Sequence, residues 1–194
     1  MAASLPGTDG RTRRSERSRD RIVTAMIACI RAGDPSPSAA DVAHAAGVGL
    51  RTVFRHFEDM DALYIAISAR TEAEIAPILA EPFAAGDWRG RIAEMLSRRA
   101  RVFEHIRPLK VAAALRRHQS EVLRADAARF LTRERAGLEA VLPPQVLADR
   151  DLLEALALAA SFEAWRRLRE DQGLAPDAAE RITCRTVDAL LSGL

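Results

Sequence analysis

Apolar residues recur at helical spacing in almost every segment of the chain, and this periodicity constrains the fold more than any other feature. The first clear stripe consists of Ile22, Val23, Met26, Ile27 and Ile30. No strand-like alternation of apolar and polar residues competes with it. Because 48% of the 194 residues are hydrophobic, the chain can bury a substantial core. We therefore predict an all-α fold.

Glycine and proline divide this pattern into separate helices. Breaks are predicted at Gly33 to Pro37, at Pro82 to Gly86, at Pro108, at the "LPPQ" of 142–145 and at the "QGLAPD" of 172–177. There is no internal repeat. The alanine-rich stretches between these breaks are typical of helices and not of low-complexity segments.

Two short helical segments follow the first break. Ser38 and Asp41 match a variant of the capping box, in which a hydroxyl and a carboxylate bind the free N–H groups of a helix start. The helix after this cap ends at Gly47, which can adopt positive φ, and a further helix begins near Gly49. Two short helices joined by a glycine turn, with a longer helix before them, predict a helix-turn-helix.

The second short helix has two faces. Val53 and Phe57 are four residues apart and are predicted to pack inward, whereas Arg51 and Arg55 project from the remaining surface. Arginine binds guanine O6 and N7 through two hydrogen bonds, and it also grips phosphates. The alternative is an amphipathic core helix with ordinary exposed arginines.

Positive charge is concentrated at the front of the chain. Residues 1–57 contain nine Arg against five acidic residues, whereas residues 58–194 contain twenty Lys or Arg against twenty-two. The cluster comprises Arg11, Arg13, Arg14, Arg17, Arg19 and Arg21. We predict a flexible basic arm over residues 1–16, which either contacts phosphates or is a solvated tail.

The segment "SAADVAHAAGVGLRTVFRHFEDMDALYIAI" (38–67) resembles the DNA-binding motif of TetR-family transcriptional regulators. It matches a small-residue second helix, an "AGV" turn, a "T-aromatic-x-HF" recognition helix, and a fourth helix that opens with an acidic residue and "AL". The resemblance implies a homodimeric repressor or activator that binds a palindromic operator and releases it when a small ligand enters a larger C-terminal domain. The domains implied are the arm, a helix-turn-helix domain over 17–63, and an effector-binding and dimerisation domain over 64–194.

The resemblance also implies roles for single residues. Thr52, His56 and Ser38 match positions that contact phosphates. Phe54 stands where tyrosine is usual, Met60 where lysine is usual and Gly49 where a capping serine is usual, so three polar contacts of the family are absent. The DNA-binding residues predicted are Arg14, Arg17, Ser38, Leu50, Arg51, Thr52, Phe54, Arg55 and His56.

A ligand pocket is implied among the helices between about Ile92 and Leu142. The candidates for its wall are Met95, Phe103, His105, Leu109, Leu115, His118 and Phe130, with Arg99 as a further polar anchor. Apolar residues of this kind are more often plain core than cavity lining, and the polar candidates are at least as compatible with surface or satisfied positions. A regulator without a ligand is the alternative.

The last two helical segments are predicted to form the dimer interface. Apolar residues occupy nearly every side of the segment 152–168, and Ala179, Ile182, Thr186, Leu190 and Leu194 make a stripe on the final helix. By resemblance these helices pair with their copies. The interface residues predicted are Leu156, Phe162, Trp165, Ile182, Thr186 and Leu190. The alternative is that both helices only close the core of one chain.

Motifs for other functions are absent from the sequence. The four histidines show no H-E-x-x-H spacing, no G-x-S-x-G surrounds a serine, no phosphate-binding glycine loop occurs, and the two cysteines lie in separate helices. We therefore predict no catalysis, no cofactor and no metal, and, without a membrane span or signal, a cytoplasmic protein. The rival function is a helical interaction protein whose basic arm makes non-specific contacts with nucleic acid or an acidic partner.

Overall fold

The structure, a computed structural model, describes residues 7–193 and contains only helices among them. The elements are α1 Gly7–Arg31, α2 Ala39–Ala46, α3 Leu50–His56, α4 Met60–Leu79, α5 Trp88–Arg117, α6 Glu121–Glu139, α7 Pro144–Ala148, α8 Arg150–Ala159, α9 Phe162–Arg166, a π-helical segment Arg167–Asp171, and α10 Pro176–Leu191. The all-α prediction is confirmed. Within the described range, no helix has the length and apolar character needed to cross a membrane.

The chain divides into two compact units. Unit 1 comprises Met1–Thr71 and Pro108–Arg124, and unit 2 comprises Glu72–Arg107 and Ala125–Leu194. Helices α4, α5 and α6 contribute residues to both units. Unit 1 is therefore larger than the predicted helix-turn-helix domain of 17–63, because it also takes in the first half of α4 and the hairpin between α5 and α6.

Unit 1 has one continuous apolar core. Side chains of α1, α2, α3 and α4 meet there with residues from the 108–124 segment; its members include Ile22, Met26, Val42, Val53, Phe57, Leu63, Leu109, Ala112 and Leu123. The helices α2 and α3 are too short to be stable alone. Burial of their apolar side chains in this shared core stabilises them, by about 25 cal/mol for each Å² of apolar surface removed from water.

Unit 2 contains two apolar clusters. One joins α5, α6, α7, α8 and α10 around Leu96, Leu138 and Leu156. The other is aromatic: the ring centroids of Phe103 and Phe162 lie 5.6 Å apart in an edge-to-face arrangement, and those of Phe103 and Trp165 lie 6.3 Å apart. Such aromatic pairs add about 1 kcal/mol beyond the area that they bury.

The predicted flexible arm is wrong for most of its length. From Gly7 onward the chain is already part of α1, and residues 1–6 lie outside the described residues. Elongating an existing helix costs far less than nucleating one, and arginine is a good helix former. The apolar stripe that begins at Ile22 thus supplies a stable helix onto which the basic segment is added.

The predicted break at Pro108 is also wrong, since α5 continues through this residue. Proline removes one intrahelical hydrogen bond, but Ile106 and Leu109 on either side of it are both buried. Tertiary packing therefore outweighs the local cost. The division between the two compact units nevertheless falls at Pro108.

The segment 152–168, in which apolar residues occupy nearly every side, is divided between α8, α9 and the start of the π-helical segment. Helix α8 ends at Ala159, and Ser161 caps α9 by accepting a hydrogen bond from the N–H of Ala164 at 3.1 Å. Serine competes with the helix for main-chain hydrogen bonds, which explains the break. Leu158 is 70% exposed, so the segment is not apolar-buried all round.

Candidate nucleic-acid interface

The start of α2 is fixed by a complete capping box. The Ser38 hydroxyl accepts a hydrogen bond from the N–H of Asp41 at 3.1 Å, and the Asp41 carboxylate accepts one from the N–H of Ser38 at 3.0 Å. The side-chain hydrogen bond with Ser38 lowers the pKa of Asp41. The predicted cap is confirmed, and Ser38 is exposed at the end of a helix whose dipole favours an anion.

The turn between α2 and α3 depends on Gly47. Its φ of 60° and ψ of 42° are left-handed, as predicted. The guanidinium of Arg21 donates to the carbonyl oxygen of Ala46 and, at 3.1 Å, to that of Gly47. Arg21 thus neutralises the negative end of the α2 dipole, and it is engaged in holding the turn.

Helix α3 separates its residues into an inner and an outer face. Val53 and Phe57 are only 1% and 3% exposed and belong to the unit 1 core. On the opposite face Leu50 and Phe54 are 46% and 48% exposed, beside two exposed arginines. The outer face, made of Leu50, Arg51, Phe54 and Arg55, is called the reading face below. The predicted faces of α3 are confirmed.

The edges of α3 hold Thr52 and His56, which are half-buried. The Nε2 atom of His56 is buried and has no hydrogen-bond partner among the described residues. Burial lowers the pKa of His56, and the charges of Arg55 and Arg19 lower it further. His56 is therefore less readily protonated than an ordinary histidine, and a bound anion would offset the positive charges of Arg55 and Arg19 beside it.

Arg19 belongs to the basic cluster of the sequence but is not among the predicted DNA-binding residues. Its guanidinium carbon lies 4.8 Å from the centre of the Phe57 ring, a cation–π contact that holds it beside the end of α3. Arg19 precedes Val23 by four residues and Met26 by seven, so it lies on the core-facing side of α1. Helical spacing from Val23 and Met26 is the sequence signal that identifies this position.

The other predicted phosphate contacts lie on α1 and at the start of α4. Arg14 and Arg17 are exposed on α1. Met60, where the family usually has lysine, is half-buried and packs against the unit 1 core. The start of α4 is capped by Asp59, whose carboxylate accepts a hydrogen bond from the N–H of Ala62 at 2.8 Å. A phosphate contact from residue 60 is therefore absent.

The predicted ligand-pocket residues belong to different parts of the fold. Leu109 belongs to the unit 1 core, Met95 and Phe103 belong to different clusters of unit 2, and Leu115 is 51% exposed. His118 is exposed at the end of α5, where its carbonyl oxygen accepts from Arg124 at 3.3 Å. Helical spacing identified apolar positions but could not show which cluster each one joins.

Of the remaining candidates, Phe130 packs on the aromatic cluster and His105 lies beside an acidic side chain. Phe130 packs edge-to-face on Phe162 with 6.1 Å between the ring centroids. The Nε2 atom of His105 lies 2.9 Å from the carboxylate of Glu74. Both residues are in unit 2.

The predicted dimer residues fall into two groups. Leu156, Phe162 and Trp165 are at most 5% exposed within a single chain, so they pack in its core and offer little surface to a partner. On α10, Ile182 and Thr186 are exposed and Leu190 is half-buried. The core-facing stripe of this helix is instead Ala179, Val187 and Leu191. Leu158 on α8 and Ile182 and Thr186 on α10 are exposed in the single chain.

The fold is that of known regulators. No protein-family model matches the chain, and no curated protein sequence matches it. Solved structures with the same fold include a transcriptional regulator from Rhodococcus sp. Rha1, with 19% identity, a TM-score of 0.67, and coverage of 92% of this chain and 96% of that chain. A TetR-family transcriptional regulator from Rhodococcus sp. has 18% identity and a TM-score of 0.66, with coverage of 89% and 98%.

A third similar structure is the multidrug binding protein EbrR in complex with imidazole, with 20% identity, a TM-score of 0.53, and coverage of 90% of this chain and 89% of that chain. These proteins are named as regulators or as a binding protein, and not as enzymes. At such identities the similarity establishes the fold: this chain has the all-α fold of TetR-family regulators.

Proposed function

We propose that this chain, which has the fold of TetR-family regulators, is a cytoplasmic DNA-binding transcriptional regulator that binds a palindromic operator as a homodimer. The observation that carries the proposal is the reading face of α3. Two apolar side chains, each nearly half exposed, lie beside two exposed arginines on a helix that is anchored by a buried opposite face. A solvated surface rarely presents phenylalanine and leucine in this way, whereas base edges in the major groove offer contacts for all four side chains.

Each residue type on the reading face has a matching contact in DNA. Arg51 and Arg55 supply guanidinium groups for guanine O6 and N7. Leu50 and Phe54 supply apolar surface for the methyl groups of thymine. Phe54 lacks the hydroxyl of the tyrosine that is usual at its position, so it contributes no hydrogen bond to a phosphate. The half-site proposed therefore combines guanine with thymine.

Phosphate contacts surround this face. Ser38 at the start of α2, Thr52 and His56 at the edges of α3, and Arg14 and Arg17 on α1 are proposed to hold the DNA backbone. Arg19 joins this group because its stacking on Phe57 keeps its guanidinium beside His56 and Arg55. These contacts set the register of α3 in the groove but carry no sequence information of their own.

Dimerisation is proposed through α8 and α10. A helix-turn-helix reads only a few base pairs, so specific binding needs a second half-site related by two-fold symmetry. The exposed Leu158 and Ile182, with Thr186 beside them, are the surface we assign to this contact. A small ligand that binds one arrangement of the dimer better than another changes operator affinity, and we propose this as the means of regulation.

The test of the proposed function is selection of bound duplexes from a randomised DNA pool by the purified protein at near-physiological salt. Enrichment of one two-fold symmetric sequence, with guanine and thymine in each half, is the expected result. If no sequence is enriched and binding only fades as salt is raised, the binding is electrostatic and the rival function, a helical interaction protein with non-specific contacts, replaces the proposal.

A further inference from the structure

Positive charge in the second half of the chain is concentrated in the segment that belongs to unit 1. Unit 1 contains fourteen Lys or Arg against nine Asp or Glu, whereas unit 2 contains fifteen against eighteen. The segment 108–124 alone contributes four of the basic residues of unit 1 and only one of its acidic residues. The unit that carries the reading face therefore contains a second basic element, which is distant from α1 in sequence.

The arginines of this segment lie at the turn from α5 to α6, residues 116–124, which is called the basic turn below. Its inner side is anchored in the unit 1 core: Leu123 is 4% exposed, and the Ser120 hydroxyl accepts a hydrogen bond from the N–H of Leu123 at 3.2 Å. On its outer side Arg117 and Arg124 are exposed. The basic turn thus has a fixed conformation that presents cations to solvent.

Arg116 shows where the basic turn lies within unit 1. Its Nε atom is 3.1 Å from a carboxylate oxygen of Asp61, and its guanidinium carbon is 5.7 Å from the centre of the Tyr64 ring. Asp61 is the second residue of α4 and follows His56, the last residue of α3, by five positions. With about 3.8 Å between successive Cα atoms, these two residues are at most about 19 Å apart. The basic turn is therefore near the C-terminal end of the helix that carries the reading face.

The three arginines of the basic turn differ in their contacts. Arg116 is paired with Asp61, and Arg124 donates to the carbonyl oxygen of His118 at 3.3 Å, at the end of α5 where a cation stabilises the helix dipole. Arg117 makes neither contact. Its side chain is exposed and takes part in no ion pair with the residues that the structure describes. The packing of unit 1 therefore gives Arg117 no structural task.

An exposed arginine at this place is complementary to the DNA backbone. The major groove is about 12 Å wide and has a row of phosphates on each side, so a helix in the groove has phosphates near its ends. Residue 60, at the start of α4, is a half-buried methionine and offers no cation to them. The basic turn brings a cation to the same region from another helix, and a guanidinium binds a phosphate through two parallel hydrogen bonds.

We propose that the basic turn is a second contact with the DNA backbone, made by Arg117. The inference rests on the function proposed above, because it requires that α3 lies on DNA. The contact adds affinity on every sequence and has no base preference of its own. In a homodimer it occurs twice, once beside each half-site.

The first test measures affinity for a random duplex as a function of salt, so that no operator is needed. Arg117→Gln is compared with Arg150→Gln, which removes an exposed arginine of unit 2 and changes the net charge equally. We expect Arg117→Gln to lower the affinity of the dimer roughly tenfold and to reduce the slope of log affinity against log salt by about two. Arg150→Gln should change neither quantity. Both variants should unfold at the temperature of the wild type, which excludes a loss of structure as the cause.

The second test locates the contact on the selected operator. Single phosphates of this duplex are replaced by uncharged methylphosphonates, one position at a time. Neutralising the phosphate that Arg117 binds should weaken binding of the wild type several-fold. The same replacement should have no further effect on Arg117→Gln, because that contact is already lost, whereas Arg150→Gln should keep the full sensitivity.

The inference is overturned if Arg117→Gln and Arg150→Gln have the same salt slope, or if every phosphate that matters to the wild type matters equally to Arg117→Gln. Either result in a protein that selects an operator keeps the proposed function and removes the basic turn from it. If no operator is selected and Arg117→Gln still loses affinity for random duplexes, the basic turn is a DNA contact and the sequence-specific function fails.

Discussion

Two places in the chain have the same construction and opposite surroundings. In each, a short helix ends, a second short helix follows at once, and an arginine of an earlier helix donates to main-chain oxygens at the end of the first. Arg21 binds the carbonyl groups of Ala46 and Gly47 after α2, and Arg99 binds that of Ala160 after α8. The first arginine is exposed, whereas the second is buried.

The two places differ in whether the second short helix leaves one face exposed or is enclosed by the core. After α2 the second helix keeps one face on the core and leaves the reading face in solvent. After α8 the second helix buries Phe162 and Trp165, and the arginine is buried with them. A short helix that is anchored on one side can contact a large partner such as DNA. One that closes over a buried charge instead becomes part of the core.

The largest expected effect comes from removing the two arginines. Arg99→Met leaves the buried carbonyl oxygen of Ala160 without this donor and removes a second hydrogen bond, to the carbonyl oxygen of Glu134, and we expect a loss of about 3 kcal/mol in the free energy of unfolding. Arg21→Met removes hydrogen bonds to the carbonyl oxygens of Ala46 and Gly47, of which the one to Gly47 is exposed, so its loss should be smaller. Urea denaturation of both variants, monitored by circular dichroism, measures the contrast. Equal losses would contradict the distinction between the buried and the exposed arginine.

The two breaks should also differ in their need for glycine. Gly47 has a φ of 60°, whereas Ala160 ends α8 with a φ of −94°. Gly47→Ala is expected to cost about 1–2 kcal/mol in stability, because an L-residue is strained in the left-handed region. The control is Gly173→Ala, with a φ of 66° and open space around its added Cβ.

The same two glycine variants test whether the Arg21 contact contributes to the stability of the turn. A Cβ on Gly47 would lie 3.0 Å from a guanidinium nitrogen of Arg21, whereas Gly173 has no such neighbour. Both variants should lose the strain energy, and only Gly47→Ala should also disturb the Arg21 contact. Thermal unfolding of the pair measures this excess. A smaller loss for Gly47→Ala than for Gly173→Ala would show that the Arg21 contact is not important for the turn.

The smallest effect concerns acid stability. Burial opposes ionisation of Glu104, but hydrogen bonds from Arg169 and Trp165 outweigh it and leave the pKa of Glu104 below 4.5. Its contribution is therefore present above pH 4.5 and is lost as the pH falls through the lower folded value. Glu104→Gln should flatten the decrease in unfolding free energy between neutral and acidic pH. The same titration of Asp41→Asn, at the exposed capping box, should change less.

The sequence predicted the helix pair α2 and α3 with its glycine turn, but it did not predict the break between α8 and α9. Around α2 and α3, local signals agree: Ser38 and Asp41 cap a helix, Gly47 supplies the left-handed turn, and Val53 and Phe57 define the inner face. Each of these acts over a few residues, so a single sequence contains it. The exposed Arg51, Phe54 and other members of the reading face then follow from helical geometry.

The break after α8 contains no glycine or proline, and it lies within a continuous run of apolar residues that predicts an uninterrupted helix. The competition of Ser161 with the helix is weak and depends on tertiary contacts such as that of Glu134 with the N–H of Phe162. The burial of Arg99 and the exposure of Leu115 are likewise decided by packing between distant segments. The pocket and interface residues were therefore the least predictable, as was the continuation of α5 through Pro108.

The most direct test of the central claim, that α3 reads bases through its outer face, is parallel selection from the same randomised DNA pool by the wild type, Arg51→Ala and Arg17→Ala. We expect a two-fold symmetric site from the wild type. Arg51→Ala should yield that site with one position in each half no longer specified, at a cost of about 1–3 kcal/mol on the original operator.

Arg17→Ala should yield the unchanged site, with lower affinity for all sequences and a shallower dependence on salt, because a phosphate contact carries no sequence information. The account predicts that Arg51→Ala, and not Arg17→Ala, loses the base preference at one position in each half-site. An unchanged site in Arg51→Ala, or equal effects of both substitutions on operator and random duplexes, would contradict it.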